Sequence, residues 1–155
     1  MKKTLVFSLL ILAITSCKKK DESEPKRTQT TIRTYKVYDS GAGKTDTTFI
    51  QGTIYIWDKA GKDLEIRDIE DAVEGYAYDK ISGQRVRYSS ENRYGILVTN
   101  LFKGKYLAFA IDDITRGEGQ LAFSYKHFEV NEEPKLFMDK TFSLGVQGAS
   151  FEEWK

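Results

Sequence analysis

Few residues in this chain are equipped for chemistry. Among 155 residues there is one cysteine, Cys17, and one histidine, His127. A serine nucleophile of the hydrolase kind sits in a Gly-x-Ser-x-Gly elbow, and no such run occurs. One thiol and one imidazole are too few to build a zinc site from nitrogen and sulfur ligands. On a strand, His127 in "FSYKHFEV" shares a face with Phe123 and Tyr125, which predicts a structural or half-exposed imidazole rather than a general base. Carboxylates gather twice: Asp68, Glu70 and Asp71 in "RDIEDAVE", and Asp112 with Asp113 in "DDITRGEGQ", where Glu118 follows. Oxygen-rich loops can hold Ca²⁺, but the EF-hand spacing is missing; solvated charge that keeps strand edges apart is the other use. Nothing positive marks a glycosidase pair. The expectation is a protein that is not an enzyme and carries no cofactor.

Aromatic side chains are the remaining signal. Tyr35, Tyr38, Tyr55, Trp57, Tyr76, Tyr78, Tyr88 and Tyr94 exceed what one face of a small β domain must bury. Rings with polar handles suit sugar faces or protein partners, and Tyr55, Trp57, Tyr76, Tyr78 and Tyr88 are the candidate ligand-facing set. Tyrosine also borders strands simply because it favours them, so both uses stay open. Trp154, beside the C-terminal Lys155, is expected in the core as a last-strand residue.

The elements around Cys17 explain its position. Lys2 and Lys3 form a positive start, and Leu5 to Ile14 an apolar run broken only by Ser8, as in a secretory signal. That run is about half of the roughly 20 residues a membrane-spanning helix needs. Ile14, Thr15, Ser16 and Cys17 resemble the lipobox of bacterial lipoproteins. The resemblance implies a thiol bearing a diacylglyceryl group, cleavage before Cys17, and further acylation, palmitate among the chains, on the new amine. At about 0.8 kcal/mol per buried CH₂, one acyl chain anchors marginally and two or three hold firmly.

Residues 1–16 are thus read as a signal peptide and 17–27 as a lipidated cysteine with a polar tether. "KKKDESEP" (18–25) has nothing apolar to bury. It resembles the Lys and Asp/Glu signal that sends lipoproteins of some Gram-negative lineages to the outer face of the outer membrane. Removing residues 1–16 takes the net charge from +1 to about −1, without the concentrated basic face of a nucleic-acid binder. Residues 28–155 hold no cysteine, so one domain must stand on its core alone.

That domain reads as all-β. Alternating apolar runs separated by Gly, Asp, Asn and Lys place strands in 31–39, 47–58, 72–79, 84–89, 94–100, 104–112, 120–130 and 137–144. Ile50, Ile54 and Ile56 fall on one face of 47–58 and Phe49, Tyr55 and Trp57 on the other, which predicts a strand covered on both sides. Seven or eight strands at this spacing argue for a single antiparallel β-sandwich. Tyr94, Ile96 and Val98, with Tyr106, Ala108 and Ala110, are expected to face its core.

From Glu74 to Ile111 the chain resembles the carboxypeptidase regulatory-like, or prealbumin-like, family. The resemblance is carried by Asp79 with Ser82 and Gly83, by Asn92 to Tyr94, and by Leu101 with Gly104 and Tyr106; Arg93 stands where that family has glycine. It implies a prealbumin-like β-sandwich and no catalysis, in modules that serve accessory, adhesive or assembly roles. The expected protein is a surface-exposed outer-membrane lipoprotein that binds a protein partner of the cell envelope. The alternative is a glycan-binding protein of a polysaccharide uptake system.

Overall fold

The computed structural model describes residues 24–113, 121–143, 148–149 and 154–155. Cys17 and the 1–16 segment read as a signal peptide lie outside them. The fold is all-β with several antiparallel sheets, and it is organised by two long strands. The first is β1 (Arg27–Gly41), with β2 (Lys44–Phe49) returning beside it. The second is β9 (Gly104–Asp112), at the centre of the next sheet.

At Thr34 the neighbour of β1 changes. Residues 27–33 pair with β8 (Ile96–Phe102), and residues 35–41 pair with β2. The Thr34 N–H donates to Gly95 O at 2.9 Å, and its carbonyl accepts from Ile50 N at 3.2 Å. Gly95 adopts φ +78°, and a Cβ there would collide with the Ile50 carbonyl and the Thr34 hydroxyl. Only glycine fits that junction. The other edge of β1 pairs in parallel with β11 (Lys135–Phe142).

The second sheet has the order β12-β10-β9-β3-β7: β12 (Gly148–Ala149), β10 (Ala122–Val130), β9 (Gly104–Asp112), β3 (Gly52–Asp58) and β7 (Ser90–Asn92). β12 runs parallel to β10, and the remaining ladders of this sheet are antiparallel. Two parallel ladders depart from the expected all-antiparallel pattern. The 131–134 connection carries the chain from the second sheet to the first, where Gln29 N bonds to Pro134 O at 3.1 Å, so β11 aligns with β1 instead of folding back on β10.

Between these two sheets lies the first core. Ile32, Leu97, Leu101, Met138 and Phe142 meet Ile54, Ile56, Tyr106, Ala108, Ala110, Ala122 and Val130 there. Trp154 joins them, 5% exposed, its indole N–H bonded to Ser124 Oγ at 2.9 Å. Because side chains alternate along a strand, the other face of the second sheet carries Tyr55, Trp57, Leu107, Phe109 and Ile111. A third layer covers it, formed by β4 (Leu64–Glu65), α1 (Ile69–Val73), β5 (Tyr76–Asp79) and β6 (Arg85–Arg87). Leu64, Ala72 and Ala77 complete this second core. β3 is accordingly buried on both faces, and its neighbour β2 is exposed throughout, the two being separate strands rather than one.

Two local expectations need correction. Residues 72–73 belong to α1, not to a strand: Asp68 caps the helix by accepting from Glu70 N and Asp71 N, and Gly75 at φ +89° turns the chain into β5. Tyr94, Ile96 and Val98 point outwards at 73%, 41% and 56% exposure, with Leu97 and Leu101 inside. The Gly95 junction sets that register. The Asp79 turn holds its expected form: Gly83 has φ +69°, Gly83 N bonds to Asp79 O at 2.8 Å, and Asp79 N to Gln84 O at 3.0 Å.

Candidate binding surfaces

The candidate aromatics divide by layer. Trp57 is fully buried and Tyr55 is 3% exposed. The Trp57 indole N–H donates to Val86 O and the Tyr55 hydroxyl to Val73 O, both at 3.0 Å. Their polar atoms are satisfied inside the second core, so Trp57 faces no ligand, and Tyr55 reaches solvent only by an edge. The third layer is what removes them from the surface.

Tyr76 and Tyr78 remain half-exposed on the outside of that layer, while Tyr88, also half-exposed, packs against the second core. The register puts Tyr76 opposite Arg87 and Tyr78 opposite Arg85. Guanidinium groups consequently lie over the rings: Arg85 at 4.1 Å and Arg87 at 4.9 Å from the Tyr76 centroid, Arg87 at 4.7 Å from Tyr88, and Arg67 at 4.8 Å from Tyr78. Tyr88 also stacks on Tyr55, centroids 5.0 Å apart. The rings are thus covered on at least one face by cations.

Beside them is a cleft of about 800 Å³ lined by Thr53, Tyr55, Val73, Glu74, Tyr76, Arg87, Arg93 and Asp113. Its charge is mixed. Arg87 donates to Tyr88 OH at 3.4 Å and Tyr76 OH at 2.9 Å, and these bonds, Tyr88 first, raise its already high pKa. Arg93 donates to Glu91 at 2.5 Å. Tyr88 first, then Arg93, holds the Glu91 carboxyl below its usual range. The Tyr78 hydroxyl donates to Asp71, so its ionisation is pushed up.

Both carboxylate groups have structural uses. Asp68 caps α1, and Asp71 receives Tyr78 and Arg85. Asp112 is buried with Lys36 Nζ at 2.8 Å, and Asp113 accepts from Thr53 Oγ1 at 2.8 Å. Glu118 lies outside the described residues. Among the described residues, no group of three His, Cys, Asp or Glu side chains could hold a metal ion, and no helix is long and apolar enough to cross a membrane. His127 is exposed, and its pKa is lowered by partial desolvation and by Lys59 and Lys80.

A different surface emerges on the outside of the first sheet. Phe137, Thr31 and Val98 form one cross-strand row, and Asp139, Arg33 and Ile96 the next. Tyr35 pairs with Phe49 beyond them, and Arg27 with Phe102 at the near end. Phe137 and Val98 are 56% exposed, Phe49 and Phe102 42%, and Ile96 41%. Arg33 binds Asp139 through two bonds of 2.7 Å, placing one fixed ion pair among them. The apolar alternation of 96–102 on both faces was the available signal for this patch. Compared with family models, curated proteins and solved structures, the chain matches none.

Proposed function

We propose that this chain is an outer-membrane lipoprotein, displayed on the cell exterior, whose domain acts as a non-enzymatic binding or assembly module for another protein of the cell envelope. The leader 1–16 and the lipobox-like Ile14 to Cys17 support the acyl anchor. The domain is a β-sandwich of the prealbumin-like kind; the shared first core between two sheets and the Asp79 to Gly83 turn support that reading.

The observation that carries the binding reading is the outer face of the first sheet, which no described element covers. Ile96, Val98, Phe102, Phe137 and Phe49 leave large apolar side chains in water on one surface, the arrangement expected where a partner docks. The glycan alternative draws on the cleft beside Tyr76. It is the weaker reading because arginines already lie over the rings a sugar would stack on. Photo-cross-linkers placed at Val98 and Phe137 in native membranes test the choice. One stoichiometric protein joined at both positions is expected. If neither position joins a protein while Tyr76→Ala abolishes a saturable glycan affinity, the partner reading falls to the glycan one.

A further inference from the structure

The chain enters the described domain at one pole of the strands. Glu24 to Arg27 lead into β1, and Arg27 pairs with Phe102 at the end of β8. The 131–134 turn is tied to the same place by Thr28 Oγ1, which donates to Asn131 O at 3.0 Å and Glu133 O at 2.5 Å. Lys59 N bonds to Lys105 O at 3.0 Å, joining the turn after β3 to the β8–β9 turn. Lys80 N bonds to Asp63 O at 2.8 Å, adding the Asp79 to Gly83 turn. One surface cleft runs from Glu24 to Lys103 and Glu132, and a second from Lys103 to Ile81 and Lys62. The five segments therefore make one continuous end of the molecule.

This end has an unusual composition. Segments 24–27, 58–63, 80–83, 102–105 and 131–135 contain eight basic and five acidic residues, whereas the rest of 24–155 contains eleven basic and sixteen acidic. Two large apolar side chains stand out of it, Ile81 at 84% exposure and Phe102 at 42%, the latter with the Arg27 guanidinium 4.4 Å from its ring centroid. Its ion pairs are long: Lys59 and Lys80 to Asp63 at 3.5 and 3.4 Å, and Lys103 to Glu132 at 3.5 Å, with the Lys80 and Lys103 side chains open to solvent. Lys62 and Lys105 form no ion pair among the described residues. Exposed apolar tips ringed by lysines are the composition of a surface that settles on anionic headgroups.

Chain length supplies the second argument. Nine residues lie between Cys17 and Arg27, ten Cα-to-Cα steps. Whatever their conformation, they span at most about 36 Å. A lipid on Cys17 thus holds this pole within that distance of the bilayer, a restraint that the far tip of the β1–β2 hairpin does not share. β1 alone adds fifteen residues between the two.

We infer that the pole formed by Ile81, Phe102 and the surrounding lysines is a docking face for an anionic lipid surface, which seats the domain upright on its own membrane. The inference rests on the lipid anchor at Cys17. With the pole seated, the strands stand away from the bilayer, and the apolar face of the first sheet is presented sideways to a neighbour.

The test uses the full acylated chain in vesicles of brominated phosphatidylcholine, with and without phosphatidylglycerol. Tryptophan is introduced in separate variants at Ile81→Trp and, on the hairpin, Tyr38→Trp; the buried Trp57 and Trp154 give both the same background. Bromolipid quenching of the Ile81→Trp variant should exceed that of Tyr38→Trp by about twofold or more, since only an inserted side chain meets the bromines. Phosphatidylglycerol should increase it, and adding Lys62→Glu with Lys105→Glu should reduce it. Equal quenching at the two positions, in protein that floats with the vesicles, overturns the inference and leaves the anchor standing. Protein that does not float overturns the anchor, and the inference with it.

Discussion

Both large sheets of this protein carry apolar side chains on their outer faces, and the described residues cover only one of those faces. The second sheet presents Tyr55, Trp57, Leu107, Phe109 and Ile111, and residues between β3 and β7 fold over them as β4, α1, β5 and β6. The first sheet presents Ile96, Val98, Phe102, Phe137 and Phe49, and these stay between 41% and 56% exposed. The covered face is bulky, and its polar atoms bond within the layer. The uncovered face is thinner and diluted by Thr31 and the Arg33–Asp139 pair, which keep it tolerable in water. Cover supplied by the chain's own sequence stabilises the fold; an apolar face without it is a surface that a second molecule could use.

The contrast can be broken most directly at Trp57. Its ring fills the second core and meets Tyr55 and Phe109 at centroid distances of 5.7 and 6.4 Å. Trp57→Ala should lower unfolding free energy by about 3–5 kcal/mol, read from urea denaturation. A loss as small as that of an exposed residue would mean that the third layer does not hold. Next in size is Gly95→Ala. It puts a Cβ against the Ile50 carbonyl at a backbone angle that other residues resist, so a loss of more than about 1 kcal/mol is expected by the same measurement.

These two residues also show how far the sequence could be read. Burial of β3 on both faces was legible, because Ile54 and Ile56 alternate with Tyr55 and Trp57 and only a covered strand tolerates that. The Asp79 turn was legible too, since Asp, Ser and Gly at those offsets supply acceptors and a positive φ locally. What covers Trp57 was not legible: the third layer is set by long-range pairing. For the same reason the arginines over Tyr76 were missed. They come from its register with β6, to which alternation gives no clue. In β8, Leu97 and Leu101 compete with Ile96 and Val98 for the interior, and a contact between Gly95 and residues more than forty positions away decides it. The five-residue α1 is too short to show a helical period, although its Asp68 cap and Gly75 stop were both present.

Asp79 tests the covering layer through pH. Its carboxylate accepts from the Ser82 hydroxyl at 2.6 Å and from the N–H groups of Ile81, Ser82 and Asp63, and the Ser82 bond foremost lowers its pKa. A carboxyl more acidic in the folded chain than in the unfolded one stabilises the fold above its unfolded value, near 4. That contribution fades as pH falls through the lower folded value. Asp79→Asn should therefore melt below the parent protein at pH 7, with the gap narrowing steadily towards pH 3. A gap that stays constant would separate the turn from its charge.

The smallest stability effect belongs to the uncovered face, and there smallness is the evidence. Val98 and Phe137 lie in one row with Thr31 between them and contact mainly solvent. Val98→Ser combined with Phe137→Ser removes the centre of the patch and leaves Leu97 and Met138, which face the first core, untouched. The double variant should unfold within about 0.5 kcal/mol of the parent, as surface substitutions do, while losing the partner captured by a photo-cross-linker placed at Ile96 on the same face. A loss of several kcal/mol would show that these side chains already serve the fold. The apolar face would then be an extension of the core, and the two sheets would differ only in degree.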